Sequence, residues 1–131
     1  MIRIRIGGKM KGTAVAILDD SDRLLLLKRS MKAHWMPGKW GLPGGKVEAD
    51  ETPIKCAQRE TEEETTLQVR GLIPLTELST PAVDIFYAPT YEGDVKLDFE
   101  HDDHVWVSLD ELGEYDTTPN IGAIFRRAIK L

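Results

Sequence analysis

The sequence predicts a single α/β (α+β) domain, in which a mixed β-sheet is flanked by helices. Short apolar segments with strand-like patterns recur along the chain, separated by turns that contain Gly, Pro and Asp. Two other segments carry apolar residues at helical spacing. There is no internal repeat, low-complexity tract or linker, so residues 1–131 are predicted to form one domain.

The first strands are predicted before residue 30. Residues 2–6 alternate isoleucine with arginine, the period-two pattern of a half-buried strand. Residues 13–18 and 24–27 are predicted to pair as a hairpin. Residues 30–41 are rich in Trp, Pro and Gly, and we expect a loop there.

Three further strand regions are predicted in the second half, at residues 67–78, 83–91 and 105–108. Pro74 is expected to bend or interrupt the first of them, because proline has no N–H to donate to a sheet. Apolar side chains recur at helical spacing over residues 121–131, which predicts a C-terminal helix packed on the sheet.

Composition limits the classes of partner. The net charge of -5 argues against broad binding to phosphate backbones, so we expect no stable binding to nucleic acid. Cys56 is the single cysteine, which excludes an internal disulfide and suits a reducing compartment. No apolar run approaches the ~20 residues of a membrane span. We predict a cytoplasmic protein without membrane association, and a homodimer is an open alternative.

The first helix is predicted to begin after Thr52, which can cap it, with Pro53 at its first position. At about 100° per residue, one face is expected to be buried. That face carries Ile54, Ala57, Thr61 and Thr65.

Three acids of this helix are predicted to converge. Glu60, Glu63 and Glu64 stand at i, i+3 and i+4, whereas Glu62 points elsewhere. Crowded carboxylates repel one another unless a cation intervenes, and a hard divalent cation removes the conflict. The alternative is a solvated acidic face. The upstream Gly-Gly pair and Arg59 within the helix favour the metal site.

The spacing of these residues resembles the Nudix box, G-x5-E-x7-R-E-U-x-E-E-x-G-U, in which U is a bulky aliphatic residue. Gly45, Glu51 and the run Arg59–Leu67 match its positions. The order of predicted strands also resembles the Nudix fold over nearly the whole chain.

Two positions depart from the box. Thr61 replaces an aliphatic residue, and its hydroxyl is expected to need a partner such as the carbonyl one turn back. Thr66 stands where the family has glycine. If that position is left-handed, a β-branched residue costs roughly 1–2 kcal/mol there.

The resemblance implies a divalent metal site. Glu60, Glu63 and Glu64 would bind the metal together with the carbonyl of Gly44. The expected ion is Mg²⁺, with Mn²⁺ as the alternative. Glu100, just before the last predicted strand, would complete the site, unless it is a solvated carboxylate in a turn.

The resemblance also implies a catalytic group of Arg59, Glu51, Glu60 and Glu100. Arg59 would orient the carboxylates through its planar fork. Glu51 would hold Arg59 or the metal-bound waters. Glu60 is the expected general base for attack of water on phosphorus. The alternative bases are Glu63, Glu64 and Glu100.

The box implies hydrolysis of a nucleoside diphosphate linked to a group X. Residues 40–48 resemble the entry segment of MutT-type enzymes, which favours a nucleoside triphosphate as substrate, giving monophosphate and pyrophosphate. Pro81 keeps ADP-ribose open, beside nucleotide sugars and dinucleoside polyphosphates. A third alternative is a Nudix module that binds nucleotides without hydrolysing them.

Four residues are predicted to bind the substrate, namely Arg29, Leu42, Asn120 and Trp35. Asn120 can recognise a base edge or cap the last helix. Trp35 can stack on a base or pack inside the fold, and Arg29 can contact phosphate or lie on the surface. His101 and His104 are expected to be loop residues near the site at most.

Overall fold

The structure, a computed structural model, describes residues 5–6 and 9–131. Its two α-helices are α1 (Pro53–Thr65) and α2 (Ile121–Ile129). Short 3-10 turns cover Thr76–Leu78 and Leu112–Glu114. The strands are, in order, β1 (Arg5–Ile6), β2 (Lys9–Met10), β3 (Gly12–Ile17), β4 (Leu24–Arg29), β5 (Trp40–Gly41), β6 (Gln68–Arg70), β7 (Ile73–Pro74), β8 (Val83–Ala88), β9 (Thr90–Glu92) and β10 (His101–Val107).

Strand pairing is mixed, as predicted. β3 pairs in parallel with β8, which pairs antiparallel with β7. β4 lies between β10 and β5, antiparallel to both. β6 and β9 form a separate antiparallel pair, as do β1 and β2.

The predicted hairpin of residues 13–18 and 24–27 is wrong in its pairing. The two segments are strands, but they share only an isolated bridge between Leu18 and Leu24. The backbone groups of β3 are instead paired with β8, and those of β4 with β10 and β5. Each strand therefore finds its partner far along the chain.

The central strands β3 and β4 separate two hydrophobic clusters. Alternate side chains of both strands enter opposite clusters, as the period of two requires. One cluster includes Phe125 and the rest of the apolar face of α2, so the predicted packing of the C-terminal helix is confirmed. The other cluster includes Ala57 of α1. The two helices thus cover opposite sides of these strands.

Several predicted boundaries change. The segment 67–78 is broken at Gly71, which has φ 61°, and Pro74 ends β7 opposite Phe86 instead of causing the break. The loop 30–41 contains the short strand β5, and the last strand begins at His101 instead of residue 105. The predicted strand 2–6 lies outside the described residues except for Arg5–Ile6.

Helix α1 begins and ends as its sequence indicates. The Thr52 hydroxyl accepts the Lys55 N–H at 3.2 Å, and Pro53 is the first helical residue. Ile54 is wrong as a buried residue, because it is 40% exposed. It lies in the first turn, and the burial of the helix begins only at Cys56.

No helix in the described part of the chain is both long and apolar enough to cross a membrane.

Candidate active site

The glycine pair that precedes α1 allows the loop to touch both the helix and β3. A Cβ atom on Gly45 would lie 2.3 Å from the carboxyl carbon of Glu60, and one on Gly44 would lie 2.0 Å from the Thr13 carbonyl oxygen. Thr13 and Gly45 also exchange two backbone hydrogen bonds, of 2.7 and 3.1 Å. Gly44 therefore requires glycine, because a side chain there would push the loop away from the β3 backbone. A side chain at Gly45 would displace the Glu60 carboxylate.

The Arg59 guanidinium holds Glu51 through a two-point contact. Its Nε donates to Glu51 Oε2 at 2.7 Å, and its Nη2 donates to Glu51 Oε1 at 3.0 Å. The backbone N–H of Glu48 adds a third hydrogen bond to this carboxylate, at 3.0 Å. These contacts, led by Arg59, lower the pKa of Glu51 to about 2.

Arg59 also reaches two acids of its own helix. Its Nη1 donates to Glu60 Oε1 at 2.9 Å and to Glu63 Oε1 at 3.2 Å. Burial nevertheless raises the pKa of Glu60, against the opposing effect of Arg59. Glu63 stands further out, with 56% of its side chain exposed. One arginine thus connects three carboxylates at the mouth of the glycine loop.

Glu64 is the buried acid of the group. Its Oε1 accepts the Gly44 N–H at 2.9 Å, and no ion pair with a described residue involves it. Burial raises the pKa of Glu64 to about 9, although the Gly44 hydrogen bond opposes the shift. Glu62, by contrast, is exposed, and its carboxylate accepts a hydrogen bond from Gln68. The helix therefore separates its acids as predicted.

The buried His101 and the half-buried Asp98, which was not among the predicted site residues, lie beside Glu64. Potential ligand atoms of Glu64, Asp98 and His101 all lie within 4.8 Å of one another. His101 Nδ1 and Asp98 Oδ1 are 3.0 Å apart. The expectation that His101 and His104 are loop residues is wrong, because both belong to β10. A signal was present in the run D-F-E-H, which sets a carboxylate and an imidazole on either side of Glu100.

Glu100, the predicted further acid of the site, follows Asp98 in the turn before β10. Its charge contributes to the raised pKa of both Glu60 and Glu64. Its backbone N–H donates to Asp98 Oδ1 at 3.2 Å, and its carbonyl accepts the Ser30 N–H at 3.0 Å. The residue is exposed at the edge of the site.

Two of the predicted substrate residues form a pair. Arg29 Nε donates to the Trp35 carbonyl at 2.7 Å, and its guanidinium carbon lies 5.1 Å from the centre of the Trp35 ring. Trp35 is 53% exposed, so it is not packed in the core. Arg29 pairs with His101 across β4 and β10, which places this couple at the site end of the strands. Leu42 is half-buried against the α2 cluster.

Asn120 is the N-cap residue of α2 by position, and its carbonyl accepts the Ile124 N–H at 3.1 Å. Its backbone is left-handed, with φ 69°, and its side chain makes no capping hydrogen bond. A capping side chain normally belongs to an extended residue, which explains the difference. Trp40 and the segment before α2 exchange backbone hydrogen bonds of 2.9 Å, through Asp116 and Thr118. The amide of Asn120 is exposed, has no hydrogen-bond partner among the described residues, and lies on a segment bonded to β5.

The two departures from the box have different outcomes. Thr61 Oγ1 is buried without a hydrogen-bond partner among the described residues, so the expected bond to the preceding turn is wrong. It is Thr65 Oγ1 that donates to the Thr61 carbonyl, at 2.6 Å. Thr66 is left-handed, with φ 63°, and its hydroxyl donates to the Asp94 carbonyl at 2.7 Å. The helix therefore ends where glycine is usual, with a strained residue held by a tertiary bond.

This chain is similar in sequence and in fold to known proteins. An 8-oxo-dGTP diphosphatase of Proteus vulgaris is 38% identical over 61 residues, which cover 47% of this chain and 54% of that protein. The match thus spans about half of either protein. The crystal structure of a MutT protein from Methanosarcina mazei Go1 shares 29% identity with a TM-score of 0.75, over 93% of this chain and 94% of its own.

An Ap4A hydrolase from C. elegans has the same fold, with a TM-score of 0.70 and 24% identity over 92% of this chain and 96% of its own. The predicted α+β architecture and its likeness to Nudix folds are therefore confirmed. The family model for the NUDIX domain matches residues 8–128. Since that match takes in most of the chain, the protein belongs to the NUDIX domain family.

Proposed function

We propose that this protein is a divalent-metal-dependent pyrophosphohydrolase that cleaves a nucleoside diphosphate linked to X. Its preferred substrate is a nucleoside triphosphate, which it converts to the monophosphate and pyrophosphate. The observation that carries the proposal is the position of two acids of α1 against the glycine loop: Glu64 accepts the Gly44 N–H, and Glu60 lies against Gly45. Arg59 links Glu60 and the more exposed Glu63 to Glu51. We propose residues 1–131 as one domain built around this site.

The donor set fits a hard divalent cation. Glu64 is buried beside other acids, and neither Lys nor Arg forms an ion pair with it in the described part of the chain. Carboxylate and carbonyl oxygens are the ligands that Mg²⁺ and Mn²⁺ take in proteins. When bound, such an ion neutralises the pyrophosphate and lowers the pKa of bound water. The residues that would hold it are Gly44, Glu60, Glu63, Glu64 and Glu100.

Arg59, Glu51 and Glu60 supply the positioning and the proton transfer in this proposal. Glu51 fixes two nitrogens of Arg59, so the third nitrogen is aimed at Glu60 and Glu63. Glu60 Oε1 accepts from Arg59, while Oε2 has no hydrogen-bond partner among the described residues and can take a proton from water. Burial raises the pKa of Glu60 toward the range that suits a general base. Glu63, Glu64 and Glu100 remain alternative bases.

The substrate end of the site is assigned to Asn120, Trp35, Arg29 and Leu42. The Asn120 amide carries both donor and acceptor groups and is free of any capping bond, which supports recognition of a base edge. The Arg29–Trp35 couple offers an exposed aromatic face and a cation beside it. Leu42 offers an apolar surface on the strand side of the glycine loop.

A substrate panel tests the proposal. The purified protein is incubated with Mg²⁺ and the common dNTPs, 8-oxo-dGTP, ADP-ribose and diadenosine tetraphosphate, and the products are separated. The oxidised nucleotide is included because the Proteus vulgaris relative carries that name. We expect turnover of a triphosphate to monophosphate and pyrophosphate, abolished by EDTA and restored by Mg²⁺ or Mn²⁺. If only ADP-ribose or diadenosine tetraphosphate were cleaved, the preferred substrate would belong to that class instead of the nucleoside triphosphates.

The non-catalytic alternative is separated by the same panel. A binding module would take up a nucleotide in isothermal titration without releasing any product over hours. The intact acidic positions of α1 favour the enzyme. The cytoplasmic location, the lack of nucleic-acid and membrane binding, and the homodimer stay predictions.

A further inference from the structure

Asp98 closes a tight turn next to the acids of α1. Its Oδ1 accepts the backbone N–H of Glu100 at 3.2 Å and also lies 3.0 Å from His101 Nδ1. An ionised carboxylate oxygen can only accept hydrogen bonds, so the proton of this contact belongs to Nδ1 of the imidazole. One oxygen atom thereby ties the backbone of Glu100 to the side chain of His101.

A β-bulge directs His101 into the fold. The register between β10 and β4 shifts between His101 and Asp103, so Asp102 is an extra residue in the ladder. Such bulges commonly re-aim a side chain beside a functional site. The His101 side chain is only 4% exposed, whereas Asp102 and Asp103 are exposed. The ring is thus enclosed, with Asp98 on one nitrogen and the Glu64 carboxylate nearby.

The backbone of Glu100 is fixed on both sides, while its side chain is free. Asp98 accepts its N–H, and its carbonyl accepts the N–H of Ser30. No hydrogen bond to a described residue holds its carboxylate. The position of that carboxylate therefore depends on the turn of residues 98–101.

We propose that Asp98 and His101 are positioning residues, which hold the Glu100 turn so that the Glu100 carboxylate faces the acids of α1. This inference rests on the proposed function, because it assigns a role in that same site. In this proposal His101 acts on Glu100 through Asp98. The pair should affect kcat more than KM, because it orders a reacting group and not a binding surface.

The test compares His101→Asn with His101→Ala. Asparagine places an amide nitrogen about where Nδ1 stands, so it can still donate to Asp98, whereas alanine cannot. Loss of a partner that orients a ligand typically costs about 10–100-fold in activity. We expect His101→Ala to lower kcat by that factor with little change in KM, and His101→Asn to keep at least about half of the wild-type kcat.

A second measurement follows the turn itself, without metal or substrate. Hydrogen exchange of the Glu100 amide, measured by NMR on the whole protein, reports the bond to Asp98. We expect exchange to speed up about 10-fold or more in His101→Ala and in Asp98→Ala, and to stay near the wild-type rate in His101→Asn. If His101→Ala does not fold, Asp98→Ala tests the same bond from the half-exposed side.

The outcomes are distinguishable. Wild-type values of kcat and of Glu100 exchange in both alanine variants would overturn the proposal. So would a His101→Asn variant that keeps Glu100 protected yet loses as much activity as His101→Ala, because the second ring nitrogen would then be the active group. If the wild type cleaves none of the panel, the proposed function fails, and the exchange rates alone decide whether the pair holds the turn.

Discussion

Glu51 and Glu64 are glutamates of one site whose pKa values move in opposite directions. Glu51 accepts hydrogen bonds from two of the three Arg59 guanidinium nitrogens, and its pKa falls to about 2. Glu64 receives only the Gly44 N–H in a buried position, and its pKa rises to about 9. Arg59 therefore pairs with the acids on one side of the site, whereas neither Lys nor Arg pairs with Glu64 among the described residues. A divalent ion bound at Glu64 would displace the proton that burial holds on this carboxyl at neutral pH.

The largest expected effect is on catalysis, and it comes from replacing Glu64, the acid that Arg59 does not contact. Glu64→Gln should lower kcat by more than about 100-fold. Mutation of a residue that only hydrogen-bonds to a metal ligand already lowers activity about 10–100-fold, and Glu64 is proposed as a ligand itself. The metal-free variant should be at least as stable as the metal-free wild type at neutral pH, because glutamine still accepts the Gly44 N–H, whereas the wild-type carboxyl must take up a proton on folding. Steady-state kinetics and thermal unfolding measure both quantities.

Glu62→Gln is the matched control for that variant, because Glu62 is an exposed neighbour on the same helix. It should leave kcat within about twofold. Glu63→Gln should also lose activity, but without any gain in stability, since Glu63 is already largely exposed. Near wild-type turnover in Glu64→Gln would show that the metal ligands are assigned to the wrong residues.

Removing Arg59, which pairs with Glu51, Glu60 and Glu63, should lower the stability of the protein. Arg59→Ala removes the partner of Glu51, Glu60 and Glu63, and should lower the free energy of unfolding by about 2–4 kcal/mol. Arg59→Lys should recover only part of this, because an ammonium group cannot reproduce the fork. Urea titration at neutral pH measures the loss. Equal stability of the lysine variant and the wild type would count against the two-point contact.

The pH dependence of stability sharpens the same contrast. The folded pKa of Glu51 lies below its ordinary value of 4.5, so the native state binds fewer protons than the unfolded state. Its contribution is therefore present above pH 4.5 and is lost as the pH falls toward 2. Urea titrations from pH 7 down to pH 3 should lose roughly 1–2 kcal/mol more in the wild type than in Glu51→Gln. Parallel profiles would contradict the pairing with Arg59.

The smallest effect concerns the buried hydroxyl of the box. Thr61→Val should stabilise the protein by about 1 kcal/mol, because it replaces an unsatisfied hydroxyl with a group of the same shape. Thr65→Val is the control with the opposite sign, since Thr65 donates a 2.6 Å bond to the Thr61 carbonyl. Thermal unfolding of the two variants compares them directly. A loss of stability in Thr61→Val would mean that its hydroxyl has a partner in solution.

The features of this fold that were predicted correctly are those determined by residues close together in the sequence. The sorting of the acids of α1 follows from the helical period, and the left-handed Thr66 follows from its place at the end of the helix. The cap at Thr52 and the apolar face of α2 are local in the same sense. These features depend on residues a few positions apart, so the pattern contains them.

Pairing between distant segments is not predicted in the same way. The segments 13–18 and 24–27 have the sequence pattern of a hairpin. Their actual partners, β8 and β10, lie far along the chain, and a local pattern does not identify them. Asp98 was missed, and His101 was placed in a loop near the site at most, for a related reason: their closeness to Glu64 depends on the pairing of β10 with β4. The exposure of Ile54 likewise depends on where the covering strands begin.

The parallel pairing of β3 with β8 has a consequence for synthesis of the chain. A parallel pair needs a long crossover, and this one contains β4, β5 and all of α1. The apolar run Leu24–Leu27 therefore emerges from the ribosome long before β10 is available to cover it. We expect the central sheet, and with it the acid site, to form only after residues 83–107 have been synthesised, because these strands complete the pairing of β3 and β4.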